Sequence, residues 1–144
     1  MIRFETELIA RSYECDLYGH VNNATYLNYC EAARVEFLHE LGFSLQDLKK
    51  LGFLLPIVRI EINYKKSVYA GDHLRVSVEW LEIGRSSSRF RQEVIKNGGE
   101  VAAEVYVTWI VSDLRGKPIS LPKTLLQAVE AKYKELPPKA HHKI

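Results

Sequence analysis

A long, mostly apolar helical run near the N-terminus restricts how this chain can fold. Between Ala24 and Leu41 the apolar side chains recur at helical intervals. The main stripe consists of Leu27, Cys30, Ala33, Phe37 and Leu41, and Tyr26, Tyr29, Val35 and Leu38 widen it. Eighteen helical residues span roughly 27 Å, which is long for a chain of 144 residues. A helix this apolar has to be covered on most sides, so we expect the rest of the chain to pack around it.

Most of the remaining sequence predicts β-strands. Apolar and polar residues alternate in IRFETELIARS, IVRIEINY, LRVSVEWL, SRFRQEVI and VAAEVYVTWIV. Turn signals follow at Asn97-Gly98-Gly99 and at Asp113–Gly116. We expect a short helix after Ser44, a C-terminal helix over Leu121–Leu136 and a loose tail, PPKAHHKI. A strand, a long helix and four strands joined by short turns predict an α+β fold with a largely antiparallel sheet.

Composition and charge narrow the class of protein. The length predicts one domain over residues 1–144. A formal net charge of +2, with the basic residues spread along the chain, argues against a nucleic-acid partner. No apolar run approaches the ~20 residues that a membrane span needs, and MIRFETEL does not resemble a signal peptide. Cys15 and Cys30 form no disulfide framework, so we expect a reduced, cytoplasmic location.

Polar residues crowd into the segment directly before the long helix. The stretch DLYGHVNNATYLNYCEAAR resembles the D-x-x-G-H-V-N-N-x-x-Y signature of the 4-hydroxybenzoyl-CoA thioesterase family of hotdog-fold proteins. The likeness extends to YAGDHLRV, IGRSSSRFRQEV and PISLPKTLLQAV, so it spans nearly the whole chain. The resemblance implies a hotdog fold, in which an antiparallel sheet wraps around a long central helix. It also implies hydrolysis of an acyl-CoA thioester.

The resemblance assigns a catalytic role to the segment before the helix. Asp16 is the carboxylate that attacks the thioester carbonyl or takes a proton from water. A backbone N–H at or near Asn23, at the positive end of the helix, stabilises the developing oxyanion. Gly19 lets the backbone bend, and His20 and Asn22 hold the loop or touch the acyl group. Many relatives carry His where this chain has Asn23, which leaves the chemistry to Asp16.

Each of these residues also has a simpler interpretation. Asp16 is of a type that forms turns and caps, and His20 is predicted to be structural rather than a proton shuttle. Cys15 is an alternative thiol nucleophile, although nothing in its neighbourhood in the sequence marks it as reactive. Cys30 is expected to pack in the core. Glu31 is either a second carboxylate or the partner of Arg34 in an i, i+3 ion pair.

A second cluster, GRSSSR, is the candidate site for coenzyme A. The diphosphate and 3′-phosphate of a CoA thioester need guanidinium groups and small hydrogen-bond donors. By resemblance the contacts come from Arg85, Ser86, Ser87 and Ser88, and the alternative is a solvated turn. The five histidines show no metal-ligand spacing and there is no Gly-rich phosphate loop. We therefore expect no metal and no cofactor, with coenzyme A entering as part of the substrate.

The sequence thus predicts an acyl-CoA thioesterase, with acyl carrier protein thioesters as a variant substrate. One alternative is a non-catalytic subunit that binds acyl-CoA or acyl carrier protein, and another is a hotdog hydratase. A single hotdog sheet leaves an edge strand and an apolar surface uncovered, and relatives place the site between subunits. We therefore expect a homodimer, or more readily a homotetramer built from dimers.

Overall fold

The computed structural model describes residues 1–141 of the chain. The strands are β1 (Arg3–Ile9), β2 (Ile57–Tyr64), β3 (His73–Ile83), β4 (Ser87–Lys96) and β5 (Glu100–Ile110). The helices are α1 (Thr25–Glu40), α2 (Leu45–Lys50) and α3 (Lys123–Tyr133), and a 3-10 turn covers Ser12–Glu14. The strands form one sheet in the order β1-β3-β4-β5-β2, and all neighbouring strands are antiparallel. The predicted α+β hotdog fold is confirmed.

Helix α1 packs against β1, β3 and β4 through the stripe that the sequence predicts. Phe37, which is 1% exposed, lies at the centre of this contact. Its ring centroid is 5.8 Å from that of Phe4, 6.2 Å from Trp80 and 5.9 Å from Phe90. Burying one such side chain contributes about 1.5–3 kcal/mol, so this aromatic cluster fixes α1 across the sheet. Gly42, with φ +93°, ends the helix as expected.

Strand β2 occupies one edge of the sheet and is poorly covered. The alternation in its sequence places Val58, Ile60, Ile62 and Tyr64 on one face, but only Ile62 is even half-buried. Val58 is 55% exposed and Ile60 is 37% exposed. Beyond its pairing with β5, β2 has no further strand to pair with among the described residues. An apolar edge strand therefore remains open along its whole length.

The two ends of the sheet carry different parts of the predicted site. At one end Tyr64 of β2 is level with Ala103 of β5 and Val94 of β4; we call this the Tyr64 end. The loop from Asp16 to Asn23 lies here, since Val21 bonds to Val68 just beyond the end of β2. At the other, the Ile57 end, Ile57 is level with Trp109 of β5 and Ser88 of β4.

The C-terminal segment differs from its prediction in two respects. Helix α3 is shorter than Leu121–Leu136 because Lys134 adopts a left-handed conformation with φ +61°. The tail from Pro137 was expected to be loose, but Ile83 and the tail exchange two backbone hydrogen bonds at 2.9 Å, with Pro138 and Ala140. The prediction of a loose tail is therefore wrong up to Ala140, and its last residues, 142–144, lie outside the described part of the chain.

Candidate active site

The carboxylate of Asp16 is oriented by its own loop. Its Oδ1 accepts the backbone N–H of Tyr18 at 2.9 Å and that of His20 at 3.2 Å. Within residues 1–141 its Oδ2 has no hydrogen-bond partner, and the residue is exposed. Asp16 thus forms the turn that its simpler interpretation requires. The same turn fixes one carboxylate oxygen and presents the other to solvent.

Gly19 makes this turn possible. It has φ +80°, a left-handed conformation that residues with a Cβ rarely adopt. Its N–H donates to the carbonyl of Asp16 at 3.0 Å, while the N–H of Asp16 donates to the carbonyl of His20 at 2.7 Å. The chain therefore bends at Gly19 and closes a small loop around the Asp16 carboxylate.

The start of α1 leaves the backbone N–H of Asn23 free beside this loop. The Asn22 side chain accepts the N–H of Ala24 at 2.9 Å, and the Asn22 carbonyl accepts the N–H of Thr25 at 2.9 Å. No acceptor for the N–H of Asn23 occurs in the described part of the chain. A free N–H at the positive end of a helix is suited to bind an oxyanion.

Asp16 and Asn23 line one open groove of about 310 Å³ at the Tyr64 end of the sheet. Its other lining residues include His20, Tyr26, Tyr64, Lys65 and Lys66. The chain therefore brings together a carboxylate, a free backbone donor and two lysine residues. This combination can activate a nucleophile and stabilise negative charge on a carbonyl oxygen.

His20 is packed rather than connected to a proton pathway. Its ring meets the ring of Tyr69 edge-on, with the centroids 5.1 Å apart. Its backbone forms an isolated β-bridge with Tyr69. The His20 side chain makes no hydrogen bond to any of residues 1–141. These contacts favour the structural interpretation of His20.

Tyr64 also lines the groove, although it lies outside the sequence motif and was not predicted as a site residue. Its hydroxyl donates to the carbonyl of Asn23 at 2.8 Å, and its ring meets Tyr26 edge-on at 5.2 Å. Burial raises the pKa of both the Tyr26 and Tyr64 hydroxyls, so they stay neutral donors at working pH. The only signal in the sequence is that Tyr64 is the last residue of an alternating strand, which does not reveal its partner.

Lys65 and Lys66 were likewise not predicted as site residues from the sequence. Both backbone N–H groups donate to the carbonyl of Ala102, at 2.7 and 3.1 Å, which turns the chain away from the sheet directly after β2. Both residues line the groove and are exposed. The sequence shows two adjacent lysines directly after a predicted strand. It does not show that the end of this strand lies beside the loop of Asp16.

Neither cysteine fits the role of a nucleophile. Cys30 is fully buried, and burial raises the pKa of its thiol to about 12. Cys15 is half-buried and its Sγ donates to the carbonyl of Arg11 at 3.8 Å. Both thiols are free, and neither lines the groove as far as the chain is described. The geometry therefore favours Asp16 over a thiol as the reactive group.

Glu31 does not form the ion pair that its spacing predicts. It is exposed on α1, whereas the guanidinium of Arg34 turns inward and donates from Nη1 to Oε1 of Gln92 at 2.9 Å. The predicted i, i+3 pair is therefore wrong, because the buried amide of Gln92 competes for the guanidinium. Glu31 also lies outside the residues that line the groove of Asp16.

The candidate coenzyme A cluster lies at the Ile57 end, away from Asp16 in the same chain. Arg85 is exposed and Ser86 is half-buried, while Ser87 and Ser88 are buried. The Ser88 hydroxyl accepts the indole N–H of Trp80 and is within 3.3 Å of the Glu82 carbonyl. Its partners make Ser88 unsuited to a phosphate contact, so Arg85 and Ser86 are the accessible members. Along β4 the two clusters are roughly 20 Å apart.

Two features of other protein classes do not occur in residues 1–141. No three or more His, Cys, Asp or Glu side chains are grouped so as to hold a metal ion. No helix in this part of the chain is long and apolar enough to cross a bilayer.

Comparison with known proteins gives relatives that cover most of the chain. The sequence profile of the thioesterase-like superfamily matches residues 10–129. Long-chain acyl-CoA thioesterase FadM of Escherichia coli (strain K12) is 30% identical over 128 residues, which cover 88% of this chain and 96% of FadM. DHNA-CoA thioesterase from Staphylococcus aureus superposes with a TM-score of 0.83 at 28% identity, covering 93% of this chain and 92% of that one. A thioesterase from Thermus thermophilus, solved with coenzyme A and Zn, gives a TM-score of 0.78 at 30% identity and covers 91% and 94%.

Proposed function

The chain belongs to the thioesterase-like superfamily and is a thioester hydrolase, and we propose that it cleaves acyl-CoA to a free carboxylic acid and coenzyme A. One observation carries the proposal. The exposed Oδ2 of Asp16 shares a groove with the unpaired N–H of Asn23 at the start of α1. Thioester hydrolysis needs these two groups, a nucleophile or base on one side of the carbonyl and an oxyanion donor on the other.

In the proposed reaction, the thioester oxygen lies on the N–H of Asn23. Either Asp16 adds to the carbonyl carbon to give an acyl anhydride, which water then hydrolyses to the free acid and Asp16, or it takes a proton from a water that adds instead. In both routes the C–S bond breaks and the sulfur leaves as a thiolate that takes up a proton. The ammonium groups of Lys65 and Lys66 lower the cost of negative charge in the groove. A single turnover in ¹⁸O-labelled water tests the anhydride route. Label found in the Asp16 carboxylate would demonstrate that water had cleaved an anhydride at the aspartyl carbonyl.

The open edge of β2 supports assembly as a homodimer. A two-fold axis through β2 gives antiparallel pairing with the same strand of a second copy, which extends the sheet and covers the edge. A pairing centred on Ile60 sets Arg59 opposite the partner subunit's Glu61, so the strand is complementary to itself in charge. Val58 and Ile60, which are exposed in one chain, then lie in the interface. A homotetramer built from two such dimers is the larger assembly that we propose.

The same pairing accounts for the separation of the two clusters. Antiparallel pairing of β2 places the Tyr64 end of one subunit beside the Ile57 end of its partner. Three strand spacings, about 14 Å, then separate Tyr64 from β4 of the partner subunit. We propose a composite site, in which Asp16 and Asn23 of one subunit act on the thioester while Arg85 and Ser86 of the partner subunit bind phosphate groups of coenzyme A.

Three further parts of the proposal concern the scope of the activity. The acyl group is aliphatic or aromatic; the 4-hydroxybenzoyl-CoA family implied by the motif represents the aromatic class. The proposed reaction uses no metal or organic cofactor, because every step is assigned to side chains, backbone and water. The two free thiols, Cys15 and Cys30, fit the cytoplasm as the proposed location.

A thiol-release assay of the purified protein tests this proposal against its rival, a non-catalytic acyl-CoA-binding subunit. The substrates are aliphatic acyl-CoAs of increasing length, benzoyl-CoA and 4-hydroxybenzoyl-CoA, and an acyl carrier protein thioester is a separate arm. We expect steady-state release of free thiol with repeated turnover from at least one acyl-CoA. Calorimetric binding of acyl-CoA without any turnover would contradict the enzyme and support the binding subunit.

A further inference from the structure

A cavity separate from the groove lies between α1, α2 and the sheet. Its volume is about 100 Å³. Its apolar lining includes Leu38, Leu55, Ile57, Trp80, Phe90 and Trp109. Apolar cavities of ~150 Å³ admit benzene, so this one has room for a short apolar segment of a ligand. It shares no lining residue with the groove of Asp16.

Two charged residues of α1, Glu31 and Arg34, line this cavity, and Arg34 belongs to a polar network. Gln92 is fully buried on β4 and its Nε2 donates to the backbone carbonyl of Cys30 at 3.0 Å. Its Oε1 accepts Nη1 of Arg34, which lines the cavity, at 2.9 Å. A buried amide that is anchored to the α1 backbone therefore fixes the guanidinium. The remaining N–H groups of that guanidinium have no acceptor in residues 1–141.

Arg34 differs from the other arginines of the chain. Six arginines form ion pairs with carboxylates: Arg3, Arg11, Arg59, Arg75, Arg89 and Arg91. Arg34, Arg85 and Arg115 have no ion-pair partner among the described residues, and the last two are exposed to water. Burial removes part of the hydration of the Arg34 guanidinium and lowers its pKa, while the charge of Glu31 acts in the opposite direction. The Arg34 guanidinium forms no ion pair with Glu31, so its free N–H groups remain available to an oxygen acceptor of a ligand.

The cavity lies where an acyl chain from the reaction centre can enter it. Ile57 lines the cavity and is the first residue of β2. In the proposed dimer, antiparallel pairing of β2 brings this residue next to the end of β2 in the partner subunit. That end, at Tyr64, lines the groove in which the thioester is cleaved. An acyl chain attached to a thioester in one groove therefore points toward the cavity of the other subunit.

From this geometry we infer that Arg34 selects acyl groups that carry an oxygen acceptor, a hydroxyl or a carboxylate, remote from the thioester. The inference rests on the proposed function and adds a substrate class to it. The apolar walls hold the carbon chain, and the free N–H groups of Arg34 bind the oxygen. Gln92 is a positioning residue that acts through Arg34.

The test compares matched substrates that differ only at the far end of the acyl chain. Saturated, ω-hydroxy and ω-carboxy acyl-CoAs of equal length are assayed from butanoyl to octanoyl, and the ratio of kcat/KM to that of the saturated ester is measured. We expect the wild-type ratio to exceed one for at least one length. Arg34→Met should lower that ratio about tenfold, mainly through KM, because a hydrogen bond to a charged group is lost.

Arg75→Met is the control for removing one arginine. Arg75 pairs with Glu5 between β3 and β1 and lines neither the groove nor the cavity, so the ratio should not change. If Arg34→Met does not fold, Arg34→Lys carries the test. Lysine keeps the charge but not the planar fork of donors, so the ratio should fall part of the way.

The outcomes separate this inference from the proposed function. A saturated ester preferred at every length, or a ratio that Arg34→Met leaves unchanged, overturns the role of Arg34 while thioester hydrolysis stands. An Arg34→Met protein with lower mass by light scattering and an unchanged ratio shows instead that Arg34 pairs with the partner subunit. If wild type cleaves no acyl-CoA in either series, the proposed function fails and the inference fails with it.

Discussion

Asp16 and Asp113 close the same turn at two distant places in the chain. In each case Oδ1 of the aspartate accepts the backbone N–H groups of the second and fourth following residues: Tyr18 and His20 for Asp16, Arg115 and Lys117 for Asp113. Each turn also contains a glycine with positive φ at the third following residue. The turn alone therefore cannot define a reaction centre. What distinguishes Asp16 is its place beside the start of α1.

The two glycines of these turns give a matched pair of substitutions. Gly19 has φ +80° and Gly116 has φ +90°, so Gly19→Ala and Gly116→Ala should each destabilise the protein by about 1 kcal/mol. Thermal unfolding should show similar losses for both variants. Only Gly19→Ala should also lower kcat, since only that turn holds the Asp16 carboxylate. Equal activity losses in the two variants would show that the Gly19 turn matters for stability alone.

The hydrogen bond from Tyr64 to the Asn23 carbonyl should affect the rate of hydrolysis. It joins the end of β2 to the peptide that precedes α1. Tyr64→Phe removes the donor, which is worth about 1 kcal/mol, so kcat should fall roughly threefold to tenfold with little change in KM. Tyr13→Phe is the control because Tyr13 is 79% exposed. An unchanged kcat in Tyr64→Phe would mean that Asn23 is positioned without this bond.

A charge in the middle of β2 should disrupt the dimer. Ile60 is 37% exposed in one chain and lies at the proposed two-fold axis, so Ile60→Asp places two like charges close together. Light scattering should give twice the 16.6 kDa chain mass, or a multiple of that, for wild type and a mass near the single chain for the variant. Leu114→Asp, at an exposed turn, should keep the wild-type mass. A wild-type protein that scatters as a single chain would contradict the assembly.

Mixing of subunits tests whether Asp16 and Arg85 act across the interface. Arg85→Ala should lower kcat/KM roughly tenfold for acyl-CoA and hardly change hydrolysis of a pantetheine thioester that lacks the phosphates. Differently tagged Asp16→Asn and Arg85→Ala subunits are co-expressed, and the hybrid dimer is purified. A composite site leaves one of its two sites intact, so kcat/KM should be about half of wild type. If each site lay within one chain, the hybrid would keep a single site weakened tenfold by Arg85→Ala, and its kcat/KM would be only about a twentieth of wild type.

The local pattern of the sequence predicted the elements well. The boundaries of α1 were predicted within one residue, and those of β2 match, because alternation and helical spacing are properties of neighbouring residues. The turn at Gly19 and the cap of α2 by Ser44 and Asp47 follow from the same short-range chemistry. The groove residues Asp16, His20 and Asn23 were predictable for the same reason, because they belong to one contiguous motif.

Contacts between residues that are far apart in the chain could not be predicted from these local patterns. The bond from Tyr64 to Asn23 joins residues 41 positions apart, and that from Arg34 to Gln92 joins residues 58 positions apart. Spacing suggested a local partner for Arg34, Glu31, but the buried amide of Gln92 displaced it. The sequence also could not show that Asp16 and Arg85 lie at opposite ends of the sheet, because that depends on strand order.

Asp113→Asn is the control for the most direct test of the site. Asparagine retains an oxygen that can accept both backbone N–H groups, so either aspartate can be replaced without loss of its turn. Asp113→Asn should therefore match wild type in both thermal stability and thiol release. This control measures the loss of stability that an Asp-to-Asn substitution causes in such a turn when the aspartate takes no part in catalysis.

The central claim is that the Asp16 carboxylate is the nucleophile or base of thioester hydrolysis. The most direct measurement is kcat for thiol release by Asp16→Asn, with the melting temperature recorded beside it. Since the substitution removes the charge and the basicity but keeps the turn, kcat should fall at least ~10²-fold while KM and the melting temperature change little. A kcat close to that of wild type and of Asp113→Asn, in a folded Asp16→Asn protein, would contradict the claim.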